Sequence, residues 1–131
     1  MSRLDGFKIA IVDDDPDILE SIELAMRAEG ALTAVAEDGT AAVSVCQNFK
    51  PDAVILDMML PKRSGFLVLE ELTAMDPTPI VFMVTANEGK RHMAYALSLG
   101  VSEYFNKPVS LERLIDRVAA LLNSTTKEED E

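Results

Sequence analysis

The chain has 131 residues, 48% of them hydrophobic and 27% charged, with a formal net charge of −11. This is the composition of a single globular domain with a real core, and it excludes a disordered or fibrous chain. The acidic balance disfavours direct contact with nucleic acid or an anionic membrane surface, which need clustered Lys and Arg, and suits a metal cation or a basic protein surface. A lone cysteine, Cys46, allows no internal disulfide, so a reducing compartment is expected. The start Met1-Ser2-Arg3-Leu4-Asp5-Gly6 has no signal-peptide core, and no run approaches the ~18 apolar residues of a membrane span. A cytoplasmic protein is the expectation.

In chain order, Phe7 to Val12 predicts a buried strand, broken by Asp13-Asp14-Asp15-Pro16. A helix follows, with Asp15 as N-cap, Pro16 at the first helical position and Asp17 at the positive end of the dipole. Its apolar stripe is Ile18, Leu19, Ile22, Ala25 and Met26, and Gly30 stops it. Leu32 to Ala36 predicts a second strand. Asp38 then caps a helix over Gly39 to Asn48, with Ala42, Val43, Val45 and Cys46 inward. Ala53 to Leu56 is an apolar run without alternation, as in a strand buried on both faces, and it ends on Asp57 before the turn at Pro61. A helix with Phe66, Leu67, Leu69 and Leu72 reaches about Met75. Ile80 to Val84 is a fourth strand running into Thr85, and a helix through Met93, Ala96 and Leu97 ends at Gly100. Glu103-Tyr104-Phe105 is a short fifth strand leading to Asn106-Lys107-Pro108. Ser110 caps a last helix with Leu111, Leu114, Ile115, Val118, Leu121 and Leu122 at helical spacing.

Strands alternating with helices through short links predict an α/β fold, a doubly wound parallel sheet of (βα)5 type covered on both faces. The domain is expected over residues 7–123, with 1–6 and 124–131 as flexible termini. In a parallel sheet the strand ends share one edge, so Asp13, Asp14, Asp57, Thr85 and Lys107 converge in the crevice where such sheets bind ligands. Two carboxylates ~4 Å apart repel by about 4 kcal/mol at an effective dielectric of 20. The acids therefore stay ionised only around a cation. Lys107 supplies one positive charge, and a hard divalent ion with vacant positions for water, Mg²⁺, supplies the rest. A cation, an ammonium and a hydroxyl around a free carboxylate suit a phosphoryl group, with the carboxylate as nucleophile.

Val12-Asp13-Asp14-Asp15, Leu56-Asp57 with Leu60-Pro61 and Gly65, Val84-Thr85-Ala86 and Lys107-Pro108 together resemble the signature of response-regulator receiver domains, the CheY-like superfamily of two-component signalling. The resemblance spans about Phe7 to Asn123 and implies the flavodoxin-like strand order 2-1-3-4-5. It implies that Asp57 accepts a phosphoryl group from the phosphohistidine of a sensor histidine kinase or phosphotransfer protein. Asp14 would bind Mg²⁺ directly and Asp13 mostly through water, Asp57 and the Met59 backbone carbonyl completing the protein ligands; Mn²⁺ or Ca²⁺ could substitute. Lys107 would contact phosphoryl oxygens, Thr85 would close on the phosphoryl group, and Tyr104 would be the aromatic switch behind it. The Lys107-Pro108 bond is cis in relatives. The change would be read by a downstream effector protein or output domain on the face of the fourth helix, fifth strand and last helix, with Arg91, Tyr95, Tyr104 and the outward side of Arg113 to Arg117. Met59 and Asn87 flank the site and would tune the attack of water on the phosphoryl form.

The same residues admit other readings. Asp15 reads as a cap rather than a ligand, and Cys46, Met26, Met75 and Met83 as core. His92 reads as a solvated helical residue, and Lys62, Arg63, Lys90 and Arg91 as solvated cations bordering the site. A haloacid dehalogenase-type phosphatase would want an acid where Met59 stands. An FMN binder fails on sign, because Asp13-Asp14-Asp15 would repel the phosphate. A receiver acting as a constitutive interaction module is the remaining alternative. No DNA-binding helix-turn-helix is visible, which leaves a stand-alone regulator or a receiver cut from a longer protein.

Overall fold

Runs rich in Val, Ile and Ala with no polar alternation leave a strand no wet side, so both faces must be covered. The computed structural model of the chain shows how. It describes residues 2–86 and 90–130, residue 90 and residues 125–130 for their backbone alone. Strands β1 (Lys8–Val12), β2 (Leu32–Ala36), β3 (Ala53–Leu56), β4 (Ile80–Thr85) and β5 (Glu103–Asn106) alternate with helices α1 (Pro16–Ala28), α2 (Gly39–Phe49), α3 (Gly65–Thr73), α4 (Lys90–Ser98) and α5 (Leu111–Asp130). The strands pair in parallel in the order β2-β1-β3-β4-β5.

Successive strand residues feed opposite cores. From β1, Ile9 and Ile11 join Ile55, Phe82 and Val84 under Leu19, Ile22 and Met26 of α1 and Leu114, Val118 and Leu122 of α5. Ala10 and Val12 join Val54, Leu56, Val81 and Met83 under Ala42 and Cys46 of α2, Val68, Leu69 and Leu72 of α3 and Ala96 of α4. Cys46 is buried, and burial alone pushes its thiol up to about 11, as befits an inert core residue.

Side-chain caps start the helices at the carboxyl edge of the sheet. Asp15 accepts from the Asp17 and Ile18 N–H groups at 2.9 and 3.4 Å, and Asp38 accepts from the Ala41 N–H at 2.7 Å. Ser64, not foreseen as a cap, accepts from the Leu67 N–H at 3.3 Å, and Ser110 accepts from Arg113 at the same distance. Each such bond contributes roughly 1 kcal/mol to its helix.

Some expectations shift. Leu67 is 51% exposed and Val68 takes the core position, because Gly65, Val68, Leu69 and Leu72 form the inward stripe of α3. Leu97 is exposed at 47% and Met93, read as core or partner surface, at 38%, and among the described side chains of α4 only Ala96 is buried. Residues 124–130, expected as a loose tail, have helical backbone. Residues 2–6, expected to be flexible, are tied down. Leu4 is fully buried and its N–H donates to the Glu29 carbonyl at 2.9 Å. Arg3 pairs with Glu29, Glu112 and Asp116, linking the end of α1 to α5. Leu4→Ala should therefore lower unfolding free energy by about 2 kcal/mol, the low end for a core leucine because a chain end can shift to refill the space. Urea denaturation checks it, and an unchanged midpoint would show that the segment is not part of the core. No helix among the described residues is long and apolar enough to cross a membrane.

Candidate functional site

Register carries the first two acids to each other. Val12 of β1 stands beside Leu56 of β3, and the ladder continues past both ends, with the Asp57 N–H donating to the Val12 carbonyl at 3.0 Å. Asp13 is likewise held by its N–H to Ala36 at 3.2 Å. On the other side of β3, Thr85 closes β4 opposite Asn106 of β5, and the Lys107 N–H donates to the Thr85 carbonyl at 2.9 Å. Because the sheet is parallel, every one of these residues leaves its strand at the same edge.

The side chains meet there. Lys107 Nζ stands 2.8 Å from Asp13 Oδ2 and 3.1 Å from Asp57 Oδ2. The other oxygen of each acid is also fixed by a backbone donor: Asp15 N–H to Asp13 Oδ1 at 2.9 Å, and Met59 N–H to Asp57 Oδ1 at 3.1 Å. Asp13, Asp14 and Asp57 each offer a carboxylate oxygen within 4.8 Å of the others, Asp13 and Asp57 buried and Asp14 exposed. Thr85 is fully buried. Tyr104 is half-buried against the core under α2, α3 and α4.

Burial pushes the Asp57 carboxyl above its ordinary range; the Met59 N–H and Lys107 oppose this, and the charge of Asp13 adds to it. Burial also works against the Lys107 ammonium, yet the hydrogen bonds and charges of Asp13 and Asp57 overcome it and raise its pKa. The two upward shifts have different causes: at Asp57 burial outweighs the ammonium and the N–H that oppose it, and at Lys107 two carboxylates outweigh burial. Burial and the charge of Asp57 raise the Tyr104 phenol.

With the three acids ionised and Lys107 charged, two negative charges remain, the complement of a divalent cation. The donors are all oxygen, few in number, and Asp14 keeps the group open to water, which fits Mg²⁺. Asp13, Asp14 and Asp57 are the side chains that would hold it.

Lys107 bridges Asp13 and Asp57, acids that leave two separate strands. The Lys107-Pro108 bond is cis. Asp15 is a cap whose carboxylate serves α1 and whose N–H serves Asp13. His92 is exposed on α4, its ring stacked on Phe66 with centroids 6.0 Å apart. Lys62 is exposed, 3.7 Å from Asp38 Oδ2, and Arg91 is exposed. Asn87 and the side chain of Lys90 lie outside the described residues. Sequence reasoning missed Gly39 and Gly65 as packing positions of the loop after Asp57. The place of each at the head of a helix was visible, but the neighbour across the gap was not.

The family model of the response regulator receiver domain matches residues 9–119. The chain is similar to the probable transcriptional regulatory protein TcrX of Mycobacterium tuberculosis, 36% identical over 127 residues that cover 95% of this chain and 54% of the relative. It is also similar to the DNA-binding response regulator MtrA of Mycolicibacterium smegmatis, 38% identical over 124 residues, with 95% and 53% covered. The chain thus spans about half the length of the curated relatives it matches. Among solved structures, a CheY-like receiver domain protein from Methanospirillum hungatei superposes with a TM-score of 0.88 at 27% identity, covering 93% of this chain and 98% of the other. The BeF3-activated receiver domain of Klebsiella pneumoniae RstA does so with 0.78 at 27% identity, covering 85% and 94%.

Proposed function

The chain belongs to the response regulator receiver family, a family of signalling phospho-acceptors rather than enzymes with turnover on a substrate, and from that premise we propose that Asp57 takes a phosphoryl group from the phosphohistidine of a sensor kinase or phosphotransfer protein. One observation carries the reading: an ammonium bridges two buried carboxylates at 2.8 and 3.1 Å, and a third acid stands within ligand distance of both.

In the transfer, a carboxylate oxygen of Asp57 forms the new P–O bond as the P–N bond to the donor imidazole breaks, and the imidazole leaves with the electron pair and takes up a proton. Asp13, Asp14, Asp57 and the Met59 backbone carbonyl would hold Mg²⁺, which would supply charge neutralisation for the phosphoryl oxygens. Asp57 serves as nucleophile because its Oδ1 is aimed by the Met59 N–H and its Oδ2 by Lys107. Lys107 is then placed to follow the charge from the carboxylate to the phosphoryl oxygens, while Asp13 holds it in range. The hydroxyl of Thr85 donates to the phosphoryl group, and Tyr104 moves into the space behind Thr85. The differential contact of Thr85 and Lys107 with the loaded and empty site biases the switch. The readout surface is the face of α4, β5 and α5, with Arg91, Tyr95 and Arg113. There Arg113 lies over the Phe105 ring at 5.9 Å and Arg117 pairs with Glu103 at 2.7 Å. A downstream effector protein or an output domain reads that face, and direct nucleic-acid contact by this acidic unit is not part of the function.

The test is incorporation of labelled phosphate from a phosphohistidine donor with and without a divalent-cation chelator. Labelling in Mg²⁺ and none in chelator is expected; equal labelling in both would refute the reading. The exposed, apolar Met59 side chain borders the acceptor and hinders the approach of water to the phosphoryl form. Met59→Asn should speed autodephosphorylation several-fold, measured as loss of label after donor removal. An unchanged or slower rate would discard that role.

A further inference from the structure

Two helix starts grip the loop that follows Asp57. From α3, the Gly65 N–H donates to the Met58 carbonyl at 2.8 Å. From α2, the Gly39 N–H donates to the Pro61 carbonyl at 3.2 Å, and Asp38 stands 3.7 Å from Lys62 Nζ. The loop is tightly folded between these grips: Lys62 adopts a left-handed φ of 69°, and the Arg63 N–H donates back to Pro61 at 2.8 Å. Gly39 itself lies flush against it. A Cβ there would fall 2.6 Å from the Arg63 Cβ and 2.7 Å from its carbonyl carbon, and would overlap the Arg63 carbonyl oxygen. Most of that surface is backbone, so no side chain can swing aside to make room. Met59 lies inside the gripped segment, its N–H on Asp57 Oδ1 at 3.1 Å.

We infer that Gly39 is a positioning residue for the magnesium site. The missing side chain at the first position of α2 lets the loop seat against the helix, and that seat sets where the Met59 peptide stands relative to Asp57. Gly39 carries no group that could touch ion or phosphoryl donor, and it acts only through the loop. The inference rests on the magnesium reading given above. Mg²⁺ demands near-ideal octahedral geometry, so a displaced carbonyl costs affinity even when every carboxylate remains. Changes to groups that orient metal ligands typically cost about 10–100-fold in metal affinity.

The experiment is a Mg²⁺ titration followed by backbone amide resonances, on the parent, Gly39→Ala and Leu4→Ala, at a temperature where all three are folded. Gly39→Ala should bind about tenfold more weakly. Leu4→Ala, destabilised on the other face of the sheet, should bind as the parent does. Equal affinity of Gly39→Ala and the parent overturns the inference, and so does an equal loss in Leu4→Ala, which would trace the effect to stability alone. Should Gly39→Ala fail to fold, Lys62→Gly keeps the left-handed backbone while removing the pair with Asp38 and freeing the loop. A reproducible loss of Mg²⁺ affinity in it supports the inference, and none overturns it. A parent that shows no response to Mg²⁺ at all would sink the metal reading itself and the inference with it, a failure distinct from the others.

Discussion

Replacing Asp57 with Asn should reduce phosphoryl uptake by at least about 10³-fold, to background, with the fold intact. The amide is nearly isosteric and keeps one acceptor oxygen, which serves either the Met59 N–H or Lys107 but not both, and it has no anionic oxygen to form an acyl phosphate. The fold should tolerate the change for an electrostatic reason. Asp57 and Asp13 are 4% and 2% exposed and share one ammonium. Neutralising one of them leaves Lys107 and Asp13 as a matched pair. The measurements are labelling from a phosphohistidine donor and a thermal melt without divalent cations. Label retained on the variant would move the acceptor elsewhere. A collapse of the melt would show that the cluster holds the domain together instead of serving transfer.

Gly65→Ala should damage both stability and site. An added Cβ would stand 2.5 Å from the Asp57 carbonyl oxygen and 2.5 Å from Met58 Cα. Both are backbone atoms at the end of a central strand, so relief requires α3 to retreat or the Asp57-Met58 peptide to shift, and either stretches the Gly65–Met58 hydrogen bond. Overpacking against atoms that cannot rotate away should cost roughly 3 kcal/mol, the upper end of such substitutions. The folded fraction should also accept phosphate more slowly than the parent, because a misplaced nucleophile forfeits orientation. Urea denaturation gives the first number and labelling at low denaturant the second. A variant as stable as the parent would mean that the contact is softer than its backbone composition implies. Normal labelling in a destabilised variant would confine the damage to packing.

The strands were legible because both-face burial leaves an apolar run between polar breaks, as in Ala53–Leu56, whose bounds match the expectation. The caps at Asp15, Asp38 and Ser110 were legible because capping is decided within a few residues. Leu67 and Val68 were not separable that way: both are apolar neighbours on one helix, and only the direction of the sheet under α3 says which goes inside. Residues 2–6 read as a loose end because Arg3 finds its partners at Glu29 on α1 and at Glu112 and Asp116 on α5, contacts of long sequence separation.

The sequence by itself determined the order of elements and the set of chemical groups at the strand ends. Both follow from local patterns: apolar runs stop at carboxylates, Thr85 and Lys107, and a parallel sheet aligns its ends. Tertiary structure alone decided how those groups are shared: Lys107 between Asp13 and Asp57, the Asp15 N–H on Asp13, and the loop after Asp57 pressed between Gly39 and Gly65. The reason is distance. A residue's type records what it can bond, but partners dozens of residues away are chosen by the packing of helices on the sheet, and only where those surfaces touch does one ammonium become common to two acids.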